Sequence, residues 1–545
     1  MHPKVLLEGI LAEKNSLTSF SKRCLYAIWL LAIGGFAVLH ALHLRADFPN
    51  HTTWYCDWAK YTDEGWYGNA AVRAHLFGNW YMRGDFNPAP AVPVWPFLEW
   101  VLFFFTGVTV EAARSLAVAF FFANLILSYL LLRSSGSRWM ALLALTLIAT
   151  SPFLYCFSRL AILEPMLVAF TLGTLNLAVR LPRMRHPGWA SLWIGVIFTL
   201  MMLTKTTAVF LLPAVIWAMV LPLWNRRKLA LRCVLTAAAA FATTFGIWMA
   251  VVVSFGLLRD YEYLFFVNKY VKPPEFYWPL VSLWWSFHGG LWIDSILIPL
   301  AGAIALGAAL AWRTARGRKL LLDPVFGASA WAVAGYILFM TIQNHPQPRY
   351  FAVVAVFSFF VLALGIEALV GQNAPATPWL ARIAGYAVVA LTLLAVGVNA
   401  VRTERFAGHP EYTFVNAVAQ LTQYIDAHPN GNRLLVSISG DEITLISHLK
   451  SMCDDFGTQD LDSRLPANKP GWYATWNDID PGTLQDIHDS FSMEQVASYP
   501  AFDDPERNML VLFKLHPLPG GKMRDQTTQN LQVVLPDDKI DIPVE

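Results

Sequence analysis

Between Cys24 and Asn399 the chain repeats one pattern, apolar runs of about 20 residues set apart by short polar or basic stretches. A run of that length crosses a hydrocarbon core about 30 Å thick as a helix, and in lipid a helix keeps its own backbone hydrogen-bonded. Composition agrees: 56% of residues are hydrophobic and 14% charged, against about 25% charged in a typical soluble domain, and mean hydropathy is +0.44. Such a chain needs lipid as its solvent, and its composition gives no sign of nucleic-acid binding.

The predicted spans are Cys24–Leu42, Trp95–Ala112, Ser115–Leu132, Trp139–Cys156, Ala161–Val179 and Trp189–Thr204. They continue with Thr206–Leu223, Cys233–Phe255, Leu291–Trp312, Val325–Ile342, Tyr350–Val370 and Leu380–Asn399. Three basic loops orient them: Arg180, Arg183 and Arg185; Arg226, Arg227, Lys228 and Arg232; Arg313, Arg316, Arg318 and Lys319. Even numbers of spans separate these loops, so all three fit on the cytoplasmic side. The long loop 43–94, Phe157–Leu160, Lys205, Gly256–Gly290 and Gln343–Arg349 then share the opposite face, which in a bacterial inner membrane is the periplasm. One conflict remains. A basic N-terminus held inside needs an odd number of spans, and twelve is even; Trp95–Ala112 and Ser115–Leu132 are where a shallow hairpin or a miscounted crossing would resolve it.

The expected organisation is a cytoplasmic interfacial segment at 1–23, a membrane module at 24–400 with about 11–13 helices, a periplasmic α/β domain at 401–518 and a disordered polar tail at 519–545. In the soluble part, Phe414–Ala427 reads as an amphipathic helix, Gly440 and Asp441 open a second, and Arg433–Ser439, Trp472–Trp476 and Met509–Leu515 read as strands. The five cysteines have irregular spacing and form no metal or disulfide framework; Cys56, Cys156 and Cys453 fall on the oxidising side and read as buried free thiols.

Chemistry-bearing residues gather on the outer face. Tyr61-Thr62-Asp63-Glu64-Gly65-Trp66-Tyr67 sets two acids among aromatics, with Thr62 placed to cap a helix whose first turn holds both acids. An ionised carboxylate beside the bilayer suits proton removal from a hydroxyl or amine, while first-turn acids also occur for dipole reasons alone. Arg159-Leu160-Ala161-Ile162-Leu163-Glu164-Pro165 puts a base and an acid at the end of a span, a place for function or for a structural ion pair. Lys205 interrupts apolar sequence, where it serves either to hold a phosphate or to snorkel. Asn268-Lys269-Tyr270, the later His288, and Pro348-Arg349-Tyr350 add cations and aromatics, and a planar guanidinium matches phosphate oxygens.

This arrangement resembles the C-type (GT-C) glycosyltransferases that use polyprenyl-phosphate sugars, especially the protein O-mannosyltransferases and the lipid A aminoarabinose transferases. Asp63 and Glu64 match the acid pair of the first outer loop in place and order, and Arg159 through Pro165 is similar to a second motif, with Glu164 where Asp is usual. The resemblance implies inverting sugar transfer from a polyprenyl-phosphate donor to a lipid, glycan or protein acceptor. Asp63 would be the base, Glu64 would orient the acceptor or the base, and Glu164 would complete the catalytic acids. Lys205, Arg349, Lys269 and Arg159 would hold the phosphate, and Tyr67, Tyr350 and His288 would line the acceptor cavity. No cofactor is required; a divalent metal is compatible with the acids, but no ligand cluster demands one. The rival class is a lipid or solute transporter or flippase, which places its charges near the midplane and often shows internal repeats. Neither feature is seen here.

Overall fold

The structure is a computed structural model that describes residues 19–48, 61–267, 296–342, 347–370, 379–503 and 507–518. Residues 1–18 of the expected interfacial segment, Cys56, Lys269, His288 and the tail 519–545 lie outside the described residues, while residues 19–23 of that segment begin the helix Ser19–Leu39.

Among the described residues seven stretches are long and apolar enough to cross a membrane, and an eighth is counted if Arg138–Thr150 and Pro152–Ser158, bent by 65°, form one broken span. The break falls at Ser151-Pro152, where proline withholds a backbone donor and Ser151 Oγ caps the new helix by accepting from Leu154 N at 3.1 Å. Glu164–Ala178 and Leu297–Leu310 are shorter helices of the same bundle. At its centre runs Phe351–Val370, buried without interruption from Phe351 to Ile366 and packed against Leu297–Leu310, Pro324–Ile342 and Arg138–Thr150. With no water to expel between helices in lipid, close van der Waals fit carries much of their association. A Cβ at Gly335 would lie 2.0 Å from Phe210 O, so glycine is what allows Pro324–Ile342 to meet the 206–211 turn. Leu31, Phe105 and Leu310 are left exposed, as lipid-facing side chains are.

The three basic loops share one end of the bundle. Arg180 Nη2 donates to Leu130 O at 2.8 Å, the Leu181–Arg183 and Leu221–Arg226 turns touch, and Ser137 N donates to Glu367 at 3.1 Å. Asp323 reaches Ser135 beside them. The 49-residue apolar stretch Thr206–Ser254 therefore turns back at Leu221–Arg226, next to the first basic loop.

The predicted crossing Trp95–Ala112 is corrected. It divides into the helix Val94–Thr106 and the start of Val110–Leu132, whose Thr109 Oγ1 caps it by accepting from Ala112 N at 3.1 Å. The first helix has 13 residues, about 20 Å of rise, too short for the hydrocarbon core. It stays at the end away from the basic loops. Trp100 O accepts from His75 Nε2 at 2.9 Å, and just beyond the helix Val108 O accepts from His448 Nε2 of the C-terminal domain at 2.9 Å. Removing this run from the predicted twelve makes the number odd and ends the conflict with a basic N-terminus.

The helix Trp379–Gly408 runs on beyond the predicted span and leads into a sheet of order β2-β1-β3-β5-β4. Its strands are β1 Leu435–Val436, β2 Ser451–Met452, β3 Trp472–Trp476, β4 Phe491–Pro500 and β5 Met509–Pro517. The first three are parallel, and β5 runs antiparallel to both β3 and β4. The expected strand Arg433–Ser439 shrinks to two residues. Thr413–Ala427 lays Phe414, Val418, Leu421 and Ile425 against Leu435 and Trp472.

This domain is keyed to the outer-loop helix Asp63–Phe77. A Cβ at Gly65 would lie 2.2 Å from the backbone of Asp441 and Glu442, so a glycine is required for the approach. Asn69 Nδ2 donates to Asp441 Oδ2 at 2.7 Å, and Arg73 Nη2 donates to Ser451 O at 2.6 Å while pairing with Asp441 at 3.3 Å. In a cysteine-free background, Arg183→Cys and Arg313→Cys are expected to label from one side of sealed vesicles and Asp478→Cys from the other, measured with an impermeant maleimide.

Candidate active site

Consecutive residues on a helix point about 100° apart, and the first turn of Asp63–Phe77 uses this to send its two acids to different partners. Glu64 turns toward the bundle. Both of its oxygens meet Arg114, at 2.8 and 2.6 Å, and Oε1 also accepts from Ala161 N at 2.7 Å. Asp63 turns toward Arg349, whose Nη2 lies 2.5 Å from Oδ2. Thr62 stands at the cap position without capping, its hydroxyl 3.5 Å from Asp63 Oδ1.

Arg349 comes from the Pro348–Tyr350 turn that opens the central helix, and its Nε lies 3.9 Å from Glu164 Oε1. Glu164 opens its own helix and is ion-paired with Lys205, which sits where Pro187–Thr204 ends. The ring of Tyr350 lies beneath both cations, 4.3 Å from Lys205 Nζ and 5.1 Å from the Arg349 guanidinium carbon. Asp63 is 2% exposed, Glu164 0%, Lys205 7% and Arg349 5%. Two acids and two bases thus meet in a buried group that is neutral overall. Tyr67 adjoins it; burial, and then the charge of Asp63, push its hydroxyl well above its ordinary range.

The structure therefore brings together Asp63, Glu164, Lys205, Arg349, Tyr67 and Tyr350. Two expected site residues have other partners. Glu64, expected to orient the acceptor or the base, is bound through both oxygens by Arg114 and by the Ala161 amide, and it ties the first outer loop to the second motif. Arg159 is not at the cluster. Its guanidinium donates to Leu42 O at 2.6 Å and to His43 O, and stacks 4.8 Å over the ring of Tyr155, so it binds the carbonyl end of the first span.

Sequence reasoning missed Arg114, Glu99 and Glu442. Arg114 fills the gap between two predicted runs and Glu99 interrupts one of them, and ionisable residues in such places are themselves the signal. Glu442, from the C-terminal domain, accepts from Gly65 N, and its carboxyl is pushed up by burial and then by the charge of Glu64, with Arg114 opposing. Among the described residues no group of three or more His, Cys, Asp or Glu side chains offers a metal site.

The membrane bundle, the outer-loop helix and the mixed α/β domain docked on that helix together have a fold shared with solved C-type glycosyltransferase structures. The family model of dolichyl-phosphate-mannose-protein mannosyltransferases matches residues 88–249, a range that contains Glu164 and Lys205 and leaves Asp63 and Arg349 outside. The solved structure of ArnT from Cupriavidus metallidurans bound to undecaprenyl phosphate is similar at 15% identity and a TM-score of 0.54, covering 89% of this chain and 98% of that one. The apo structure of the same protein gives 15% identity and a TM-score of 0.55, with the same coverage. No curated protein matches the chain.

Removing one partner of a buried ion pair leaves an uncompensated charge, at a cost of about 3–5 kcal/mol. Arg114→Ala, which strands Glu64, is expected to lose about that much stability in detergent unfolding, whereas Glu442→Gln should be close to neutral.

Proposed function

We propose that the chain transfers a sugar from a polyprenyl-phosphate donor to an acceptor, with inversion at the anomeric carbon. The observation that carries this reading is the shared position of Arg349, between Asp63 at 2.5 Å and Glu164 at 3.9 Å, at the membrane end opposite the basic loops. By the distribution of basic residues that end is the outer, periplasmic face of a bacterial inner membrane.

Lys205 and Arg349 are the cations for the donor phosphate, and Tyr350 and Glu164 hold them in place. A phosphate that takes over the guanidinium releases Asp63 from its ion pair, and Asp63 then accepts the proton of the acceptor hydroxyl or amine. As the acceptor heteroatom bonds to the anomeric carbon, the bond from that carbon to the phosphate oxygen breaks. Its electron pair leaves on the phosphate, stabilised by the two cations. Inversion needs the base and the phosphate on opposite sides of the sugar, which fits a base carried by the outer loop and cations carried by the bundle. A divalent metal remains compatible with this scheme, and no step requires one.

The fold shared with a glycosyltransferase supports this reading over a transporter, as does the placement of the cluster at one end of the bundle. Sugar transfer by protein in detergent, where vectorial transport has no meaning, separates the two. Asp63→Asn is expected to insert in the membrane with lowered stability, since it leaves Arg349 short of one carboxylate, and to lose about 10²–10⁴-fold in transfer from labelled polyprenyl-phosphate sugar. Full turnover by that variant would remove Asp63 from the base role. Lys205→Ala is expected to weaken polyprenyl-phosphate binding, measured by native mass spectrometry.

A further inference from the structure

The helix that carries Asp63 takes the cap of its first turn from another part of the chain. Trp66 N donates to Thr62 O at 3.1 Å, which begins the helical ladder, and the Thr62 side chain does not cap. The amide of Gly65, one residue earlier, needs an acceptor from outside the helix, as the first amides of any helix do. Glu442 of the C-terminal domain supplies it, one carboxyl oxygen accepting from Gly65 N. Glu442 is 1% exposed and its Oε2 has no hydrogen-bond partner among the described residues, so the bond to Gly65 is what orients this buried side chain.

Gly65, Asn69 and Arg73 follow at four-residue steps and form a stripe along one face of the Asp63–Phe77 helix. That stripe is the seat of the C-terminal domain. Asp441 takes Asn69 Nδ2 at 2.7 Å and Arg73 Nη2 at 3.3 Å, and the next residue, Glu442, takes Gly65 N. Two consecutive residues of the helix Gly440–Ser447 thus grip successive turns of the outer-loop helix.

Asp63 lies two residues before Gly65, about 200° around the helix from the stripe. Fixing the stripe therefore fixes the direction in which Asp63 points. Of the three contacts, the one from Glu442 is nearest to Asp63 along the helix. Glu64, between them, is held by Arg114 through its side chain, at 2.6 Å, whereas Glu442 holds the main chain itself.

Resting on the transferase reading, we propose that Glu442 is a positioning residue: it caps the outer-loop helix from the C-terminal domain and so holds Asp63 where it meets the acceptor. It acts through the helix and does not touch the reacting atoms.

The test uses the full-length protein in detergent. Glu442→Leu and Glu442→Ala both remove the acceptor oxygen, the first with little change of volume, and Glu442→Gln keeps one. Both chains should fold, since Asp441 still holds Asn69 and Arg73. Glu442→Leu and Glu442→Ala are expected to speed hydrogen exchange at the Gly65 amide about fivefold. They should lower kcat for transfer from polyprenyl-phosphate sugar by about tenfold to a hundredfold, the cost of a misplaced base. The KM for that donor should stay within about twofold, because the cations that hold the phosphate are untouched. Glu442→Gln should keep both exchange and kcat within about twofold of the native protein. Unchanged exchange in Glu442→Leu and Glu442→Ala would refute the cap, and faster exchange with unchanged kcat would refute the positioning. Glu442→Gln as slow as Glu442→Leu, or failure of both Glu442→Leu and Glu442→Ala to fold, would reduce Glu442 to a structural role. If the native protein transfers no sugar while exchange still rises in Glu442→Leu, the transferase reading fails and the cap stands.

Discussion

The sharing of one guanidinium between two carboxylates holds the rest of the site in place. Arg349 lies 2.5 Å from Asp63 and 3.9 Å from Glu164, and Lys205 neutralises the remaining charge. An isolated ion in so dry a place would be displaced or neutralised, so each member of the group depends on the others. The cluster also joins parts far apart in sequence: the outer-loop helix, the helix that Glu164 opens, the junction at Lys205 and the turn that begins the central helix. A ligand able to open it must supply charge of its own, and an anion that competes for the cations does so while freeing an acid.

Neighbouring acids therefore do different work. Glu64, saturated by Arg114 and the Ala161 amide, fixes how the Asp63–Phe77 helix meets the bundle. Asp63 is the one that meets the cations of the cluster. Gly65, the next residue, admits the backbone of Asp441 and Glu442 and so brings the C-terminal domain within reach of the same turn. The domain is joined to the outer loop by buried pairs, Asp441 with Arg73 of the helix and Asp85 of the following turn with Arg464 at 2.9 Å. Pairs of this kind contribute more to fixing one geometry than to net stability.

Much of the fold was legible because lipid imposes one length and one polarity on each run. Three residues of the cluster were legible for the same reason, since Glu164, Lys205 and Arg349 each interrupt or border apolar sequence where a charge is costly. Asp63 stood out as half of an acid pair set among aromatics in the first outer loop. That reasoning cannot say which partner a charge finds. It grouped Arg159 with the phosphate-binding cations, although the carbonyls of Leu42 and His43 hold it elsewhere. It also merged Val94–Thr106 into a crossing, since apolar composition does not distinguish a helix lying at the surface from one that spans. β4 was missed because it is an edge strand whose residues are mostly half-exposed, leaving no clear alternation.

The most direct test is a structure of the protein with a polyprenyl phosphate bound. Phosphate oxygens are expected about 3 Å from both Lys205 Nζ and the Arg349 guanidinium, with the contact between Arg349 and Asp63 opened. A phosphate bound elsewhere, with that ion pair intact, would contradict it.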